Sequence, residues 1–104
     1  MVQELTNGEF QEFIKEGTVL IDFYADWCMP CVMMGPIVED MSEKFSGKIK
    51  FGKVNVDDNS EIAQRYHIAS IPNFIVFKDG KPVKQFIGGM SEEDFEEKLN
   101  QVLR

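Results

Sequence analysis

Cys28 and Cys31 enclose only Met29 and Pro30, and no other cysteine occurs among the 104 residues. A small domain stapled by disulfides carries several pairs at scattered positions, and a cross-link around so short a loop restrains little chain entropy. The pair therefore suits chemistry better than scaffolding. It stands between an apolar run and a helical pattern, which puts Cys28 at or just before a helix N-terminus. There the unpaired amides and the positive end of the helix favour a thiolate, lowering the thiol pKa from its free value near ~8.5. Cys28 is the candidate nucleophile. Cys31, one turn inside the helix and expected to be the less exposed, lies near enough to close a small ring with it and suits the resolving role. Such a thiolate attacks a disulfide sulfur, a mixed disulfide forms, and the second thiol releases the product at high effective concentration. The same groups also fit a catalyst that forms or isomerises disulfides. They fit, too, a soft-metal module holding Cu(I) with a nearby Met, or two chains sharing four thiolates around Zn or an iron–sulfur cluster. One chain alone has too few ligands for that.

The elements that position the pair follow from hydrophobic periodicity. Thr18-Val19-Leu20-Ile21-Asp22-Phe23-Tyr24 is β-branched and aromatic at both parities, the pattern of a strand covered on both faces and so lying mid-sheet. After the cysteines, Met34, Ile37, Val38, Met41 and Phe45 fall three or four apart on one helical face, until Gly47. Pro36 lies inside that pattern and predicts a bend rather than a stop. Ile49, Phe51 and Val54-Asn55-Val56 predict another strand, and a crossover helix between two strands favours parallel pairing.

Before this unit, Thr6-Asn7-Gly8-Glu9 reads as a capping box opening a helix with Phe10, Phe13 and Ile14, stopped by Gly17. After it, Asp57-Asp58-Asn59-Ser60 offers caps for a short helix bearing Ile62, Ala63 and Tyr66 and ending near His67. Phe74 to Phe77 and Val83 to Ile87 flank Asp79-Gly80, a hairpin signal, with Pro82 marking an edge strand. Ser91-Glu92-Glu93-Asp94 opens a last helix with Phe95, Leu99, Val102 and Leu103 on one stripe.

Composition bounds the function. The chain carries 11 Lys and Arg against 18 Asp and Glu, a net charge of −7, which argues against a protein that neutralises phosphates, so nucleic acid is not an expected partner. No uncharged stretch exceeds twelve positions, the length of Trp27 to Val38, short of the roughly 18 apolar residues a membrane helix needs. The Met1-Val2-Gln3-Glu4-Leu5 start lacks the basic head and apolar middle of a signal peptide, so a cytoplasmic location is expected. Without a repeat or a Gly, Ser or Pro linker, residues 1–104 should form one domain. The single His67 has no second histidine nearby to build a metal site and reads as a helix-end residue.

Ile21-Asp22-Phe23-Tyr24-Ala25-Asp26-Trp27-Cys28-Met29-Pro30-Cys31, followed by Pro36 and later by Ile71-Pro72, Asp79-Gly80 and Gly88, resembles the thioredoxin family's D-F-[WY]-A-x-W-C-x-P-C signature and its later landmarks. The resemblance spans essentially the whole chain in order and spacing. It implies an α/β thioredoxin fold with a central mixed five-stranded sheet flanked by helices, and thiol:disulfide exchange without metal or organic cofactor. It implies disulfide-containing client proteins, a thioredoxin-reductase-type partner and a monomeric working form. By the same resemblance Asp22 matches a buried aspartate able to take or return the Cys31 proton. Lys53 matches a lysine near it. Trp27 and Pro30 shape the loop, Pro72 matches a cis-proline beside the cysteines, Ile71 exposes backbone to an extended substrate, and Gly88 completes an apolar groove.

Met29 stands where most of the family has Gly, Val32 where a basic residue is usual, Asn73 where Thr is usual, Tyr24 where Trp is common, and His67 where Gly often ends the short helix. Of the methionines near the cysteines, Met29 is expected at the surface and Met33 and Met34 beneath the sheet.

Overall fold

A computed structural model describes residues 1–104, which run β1 (Gln3–Glu4), α1 (Phe10–Ile14), β2 (Thr18–Tyr24), α2 (Met29–Lys44), β3 (Lys50–Asn55), α3 (Ser60–Arg65), β4 (Asn73–Lys78), β5 (Lys81–Ile87) and α4 (Glu92–Leu103). The five strands form one sheet in the order β1-β3-β2-β4-β5. β1, β3 and β2 are parallel, whereas β4 pairs antiparallel with both β2 and β5. The doubly apolar run is thus the central strand, and β2-α2-β3 is the expected crossover unit. Gly80, at φ 86°, and Asp79, at φ 49°, make the hairpin turn, the left-handed pair that a tight hairpin between right-twisted strands requires.

Alternation along β2 divides the core. Leu20 joins Phe74, Val76, Met34, Val38, Met41, Phe95 and Leu99 on the face covered by α2 and α4. Val19, Ile21 and Phe23 join Phe10, Ile14, Ile62, Ile75 and Phe77 on the face covered by α1 and α3. The second face is aromatic, with Phe10 and Tyr66 each set edge-on to Phe77 at 5.8 and 5.3 Å between ring centroids. Asp22 and Tyr24 share the parity of Leu20 and therefore belong to the α2 face. Gly52 is where helix and strands approach most closely: a Cβ there would lie 2.7 Å from Leu5 and 2.9 Å from Phe13.

Several local expectations need correction. β1 escapes the hydrophobic pattern because it is two exposed residues long, ordered by parallel pairing with Gly52 and Lys53. Met33 is 70% exposed while Met34 is buried; the helix turns Met33 out of the stripe, so only Met34 fills space beneath the sheet. Leu103 is 39% exposed, so the buried stripe of α4 ends at half-buried Val102, which packs on the core. The Thr6–Glu9 pair is made, with Glu9 Oε1 accepting from the Thr6 N–H, yet α1 begins only at Phe10 and Glu9 N–H bonds the Thr6 carbonyl instead of its hydroxyl. Asn59 occupies the N-cap of α3 without capping it. Its side chain donates to the Asn55 carbonyl and accepts from Asn7 N–H, tying two loops together. α2 continues through Pro36 to Lys44, as the stripe predicts.

Candidate active site

Strand β2 ends under the start of α2, and the cysteines occupy that junction. Cys28 is the N-cap of α2 in an extended conformation, and its Sγ accepts a 3.3 Å hydrogen bond from the Cys31 N–H. Pro30 sits in the first turn, where the missing N–H costs no helical bond. The amide of Cys31 therefore points at the sulfur, and the helix dipole acts in the same direction. Cys28 and Cys31 are joined as a disulfide with Cα atoms 5.2 Å apart. Both are buried, at 5% and 6% exposure, against Ala25, Tyr24, Val56 and Ile71. Cys31 is thus not the less exposed of the two, contrary to the expectation from its place inside the helix. Closed on each other, both sulfurs share one small apolar cluster.

Beneath Cys31 lies a cavity of about 200 Å³ lined by Asp22, Tyr24, Ala25, Asp26, Cys31, Val32, Gly35 and Lys53. Asp22 is 5% exposed, and its Oδ1 is buried without a hydrogen-bond partner. Burial pushes its carboxyl up to about 7, partly offset by the positive charge of Lys53 and reinforced by the negative charge of Glu4. Lys53 pairs in register with Asp22 across β2 and β3, and its ammonium joins the Glu4 carboxylate at 3.8 Å. A carboxyl group that titrates near neutrality beside a cysteine can take or return a thiol proton directly or through a water in the cavity. Asp22, Lys53 and Cys31 thus line one cavity.

The rim of the site is apolar and open. Trp27 is 70% exposed and Met29 66%, with Val32, Met33 and Ile87 also exposed. Cis-Pro72 is buried behind half-buried Ile71, which packs on the cysteine pair. Gly88 N–H donates to the Pro72 carbonyl at 2.8 Å, with Gly88 at φ 97°. Pro30 stands close to Gly89. The backbone groups of Ile71 make no backbone hydrogen bond of their own.

Three participants were not singled out from the sequence. Asp57 accepts from the Trp27 indole Nε1 at 2.8 Å and is presented by a turn in which Asn55 Oδ1 accepts from the Asp57 and Asp58 amides. In the sequence it looks like one of four helix-capping residues. Glu4 and Tyr24 meet through the Tyr24 hydroxyl, 2.7 and 2.8 Å from the two Glu4 carboxylate oxygens; nothing local signals a contact made across three strands. No three His, Cys, Asp or Glu side chains gather into a metal-holding group.

The thioredoxin family model matches residues 1–101. The thioredoxin of Alicyclobacillus acidocaldarius is 45% identical over 101 residues, 96% of this chain and 96% of that protein. A thioredoxin of Staphylococcus aureus is 37% identical over 102 residues, 98% of each chain. Similarity that runs the length of the fold and includes a cysteine pair already closed on itself leaves one conclusion: the chain belongs to the thioredoxin family and is a thiol:disulfide oxidoreductase.

Proposed function

We propose that this chain acts mainly as a general reductant of protein disulfides, with Cys28 attacking and Cys31 resolving. The observation that carries the reading is the Cys28 sulfur at the N-cap of a sixteen-residue helix, accepting the Cys31 amide. That donor and the dipole stabilise a thiolate when the disulfide is open. In the first step the Cys28 thiolate forms a bond to one client sulfur, the client S–S bond breaks, and the departing client sulfur takes a proton. In the second, Cys31 loses its proton and attacks the Cys28 sulfur; the mixed disulfide breaks and the other client sulfur leaves and is protonated. Two electrons pass from the two cysteines to the client; one proton is released by Cys31, and the other, lost when Cys28 ionised, is returned by solvent.

Asp22 is the base that receives the Cys31 proton. Its burial keeps it near the pKa that such a transfer needs, and Lys53 limits the rise. Trp27, Met29, Pro30, Ile71, Pro72 and Gly88 form the client surface. The free N–H and C=O of Ile71 support strand-like pairing with an extended client segment, and the exposed thioether of Met29 adapts to varied side chains. The cycle closes through a thioredoxin-reductase-type partner that returns two electrons to the disulfide. The chain works as a monomer, as one redox domain over residues 1–104, in the cytoplasm, where thiols are kept reduced.

Cys28→Ser should abolish reduction of an insulin-type disulfide, whereas Cys31→Ser should still attack and accumulate a mixed disulfide. Reversed behaviour overturns the assignment of the two sulfurs. A reduction potential near ~−270 mV against glutathione supports the reductant role, and one near ~−180 mV or above assigns the chain to disulfide formation or isomerisation instead.

A further inference from the structure

Lys53 stands between two carboxylates in one row of the sheet. Register pairs Glu4 of β1 with Lys53 of β3, and Lys53 with Asp22 of β2, so all three side chains leave the same face. The ammonium sides with the outer carboxylate. Its Nζ is 3.8 Å from Glu4 Oε1 and lies 5.5 Å from the centroid of the Tyr24 ring, while no cation is within ion-pair distance of Asp22.

Glu4 is itself held. The Tyr24 hydroxyl reaches both of its oxygens, and Tyr24 follows Asp22 by two residues on the same strand face. Burial first, and then the Glu4 contact, keep the Tyr24 phenol well above its usual range, so it remains a donor throughout the working pH range. Exposed pairs such as Glu4–Lys53 are worth little to stability. Their leverage here is positional, because the lysine chain can serve only one of its two neighbours in the row at close range.

We propose that Glu4, anchored by the Tyr24 hydroxyl, is a positioning residue that holds the Lys53 ammonium off Asp22 and so sets the charge state of the carboxyl beneath Cys31. The functional meaning of that state rests on the proton-transfer role given to Asp22 above. The groups that face Asp22 are Lys53 from β3, Glu4 from β1 beyond it, Tyr24 from its own strand, Asp26 from the following turn, and Cys31 from α2. β4 contributes Phe74, which does not titrate. Lys53 is the only cation in the set, so its placement decides how far the carboxyl is relieved of its desolvation.

The test is an NMR titration of the Asp22 side-chain carboxyl in the reduced protein, comparing the parent with Glu4→Gln, Tyr24→Phe, Lys53→Met and the double variant Glu4→Gln/Lys53→Met. Release of Lys53 toward Asp22 should lower the midpoint by about one pH unit in Glu4→Gln. It should lower it in the same direction in Tyr24→Phe, where the Glu4 charge is intact. In the Lys53→Met background Glu4→Gln should move the midpoint by much less, a coupling that only a shared lysine produces. An unmoved midpoint in Tyr24→Phe, or an equal shift from Glu4→Gln in both backgrounds, overturns the latch and leaves Glu4 as a distant charge. Dispersed spectra confirm folding for every variant. The pH profile of mixed-disulfide release, recorded in parallel, separates the two assignments: midpoints that shift by NMR while the release profile stays put uphold the latch and remove Asp22 from proton transfer.

Discussion

Removing the buried carboxyl should make the protein more stable above neutral pH, by an amount the structure sets. Burial raises the Asp22 pKa from 3.8 to about 7. In the unfolded chain the proton leaves near 3.8, so between the two values the native state holds a proton that the unfolded state has released. Stability therefore falls as pH climbs through this window and levels off above 7. A difference of about three pH units at ~1.4 kcal/mol each gives a loss of ~4 kcal/mol from this one group. Asp22→Ala has no such proton to lose. Its cost in packing does not change with pH, and all other titrations are common to both proteins. The difference in unfolding free energy, variant minus parent, should thus rise by ~4 kcal/mol between pH 4 and pH 8. Urea unfolding of the oxidised proteins at half-unit pH steps measures it. Parallel curves, with the difference changing by less than about 1 kcal/mol over that range, would refute the claim that this carboxyl is desolvated and unpaired.

Further outcomes follow from other contacts. Gly52→Ala drives a methyl into Leu5 and Phe13 and should cost about 1–3 kcal/mol in chemical unfolding, most of it recovered if Leu5 is shortened to Val; an unchanged midpoint contradicts the close approach of α1 to the sheet. Asp57→Ala deprives the lone Trp27 indole of its acceptor. It should shift the tryptophan emission and its quenching by acrylamide and slow client reduction several-fold. The bond is exposed, so folding stability should move by less than about 1 kcal/mol. Asp57→Asn, which keeps an acceptor, should restore the parent's emission, and identical spectra in all three proteins would show that Asp57 does not fix the ring.

Long-range order and short-range chemistry were legible to different degrees. β2 is readable because six of its seven residues, all but Asp22, are apolar, aromatic or β-branched, and its bounds, Thr18–Tyr24, match the pattern. The helix start at the cysteines is readable because Pro30 and the stripe from Met34 fix its phase. β1 is not, because two residues held by pairing with β3 leave no periodicity to detect. Met33 is not beneath the sheet as expected, because a helical step of roughly 100° per residue from the stripe residue Met34 turns it outward. The Asp22 environment was legible as a carboxylate in an apolar strand. Its companions Glu4 and Tyr24 were not, since their contact depends on strand order β1-β3-β2 and not on any local spacing.

The central claim is that the start of α2 shifts the Cys28 sulfur toward its thiolate, below the titration range of a free thiol. Reduced protein alkylated over a pH series, with modification at Cys28 resolved by peptide mass, measures it directly. Rates should follow a titration with its midpoint below the free-thiol value of ~8.5, and the midpoint should remain low in Cys31→Ser, where the residue-31 amide is retained. A Cys28 midpoint at or above ~8.5 in the parent contradicts the account, because neither the amide nor the helix would then be activating the sulfur.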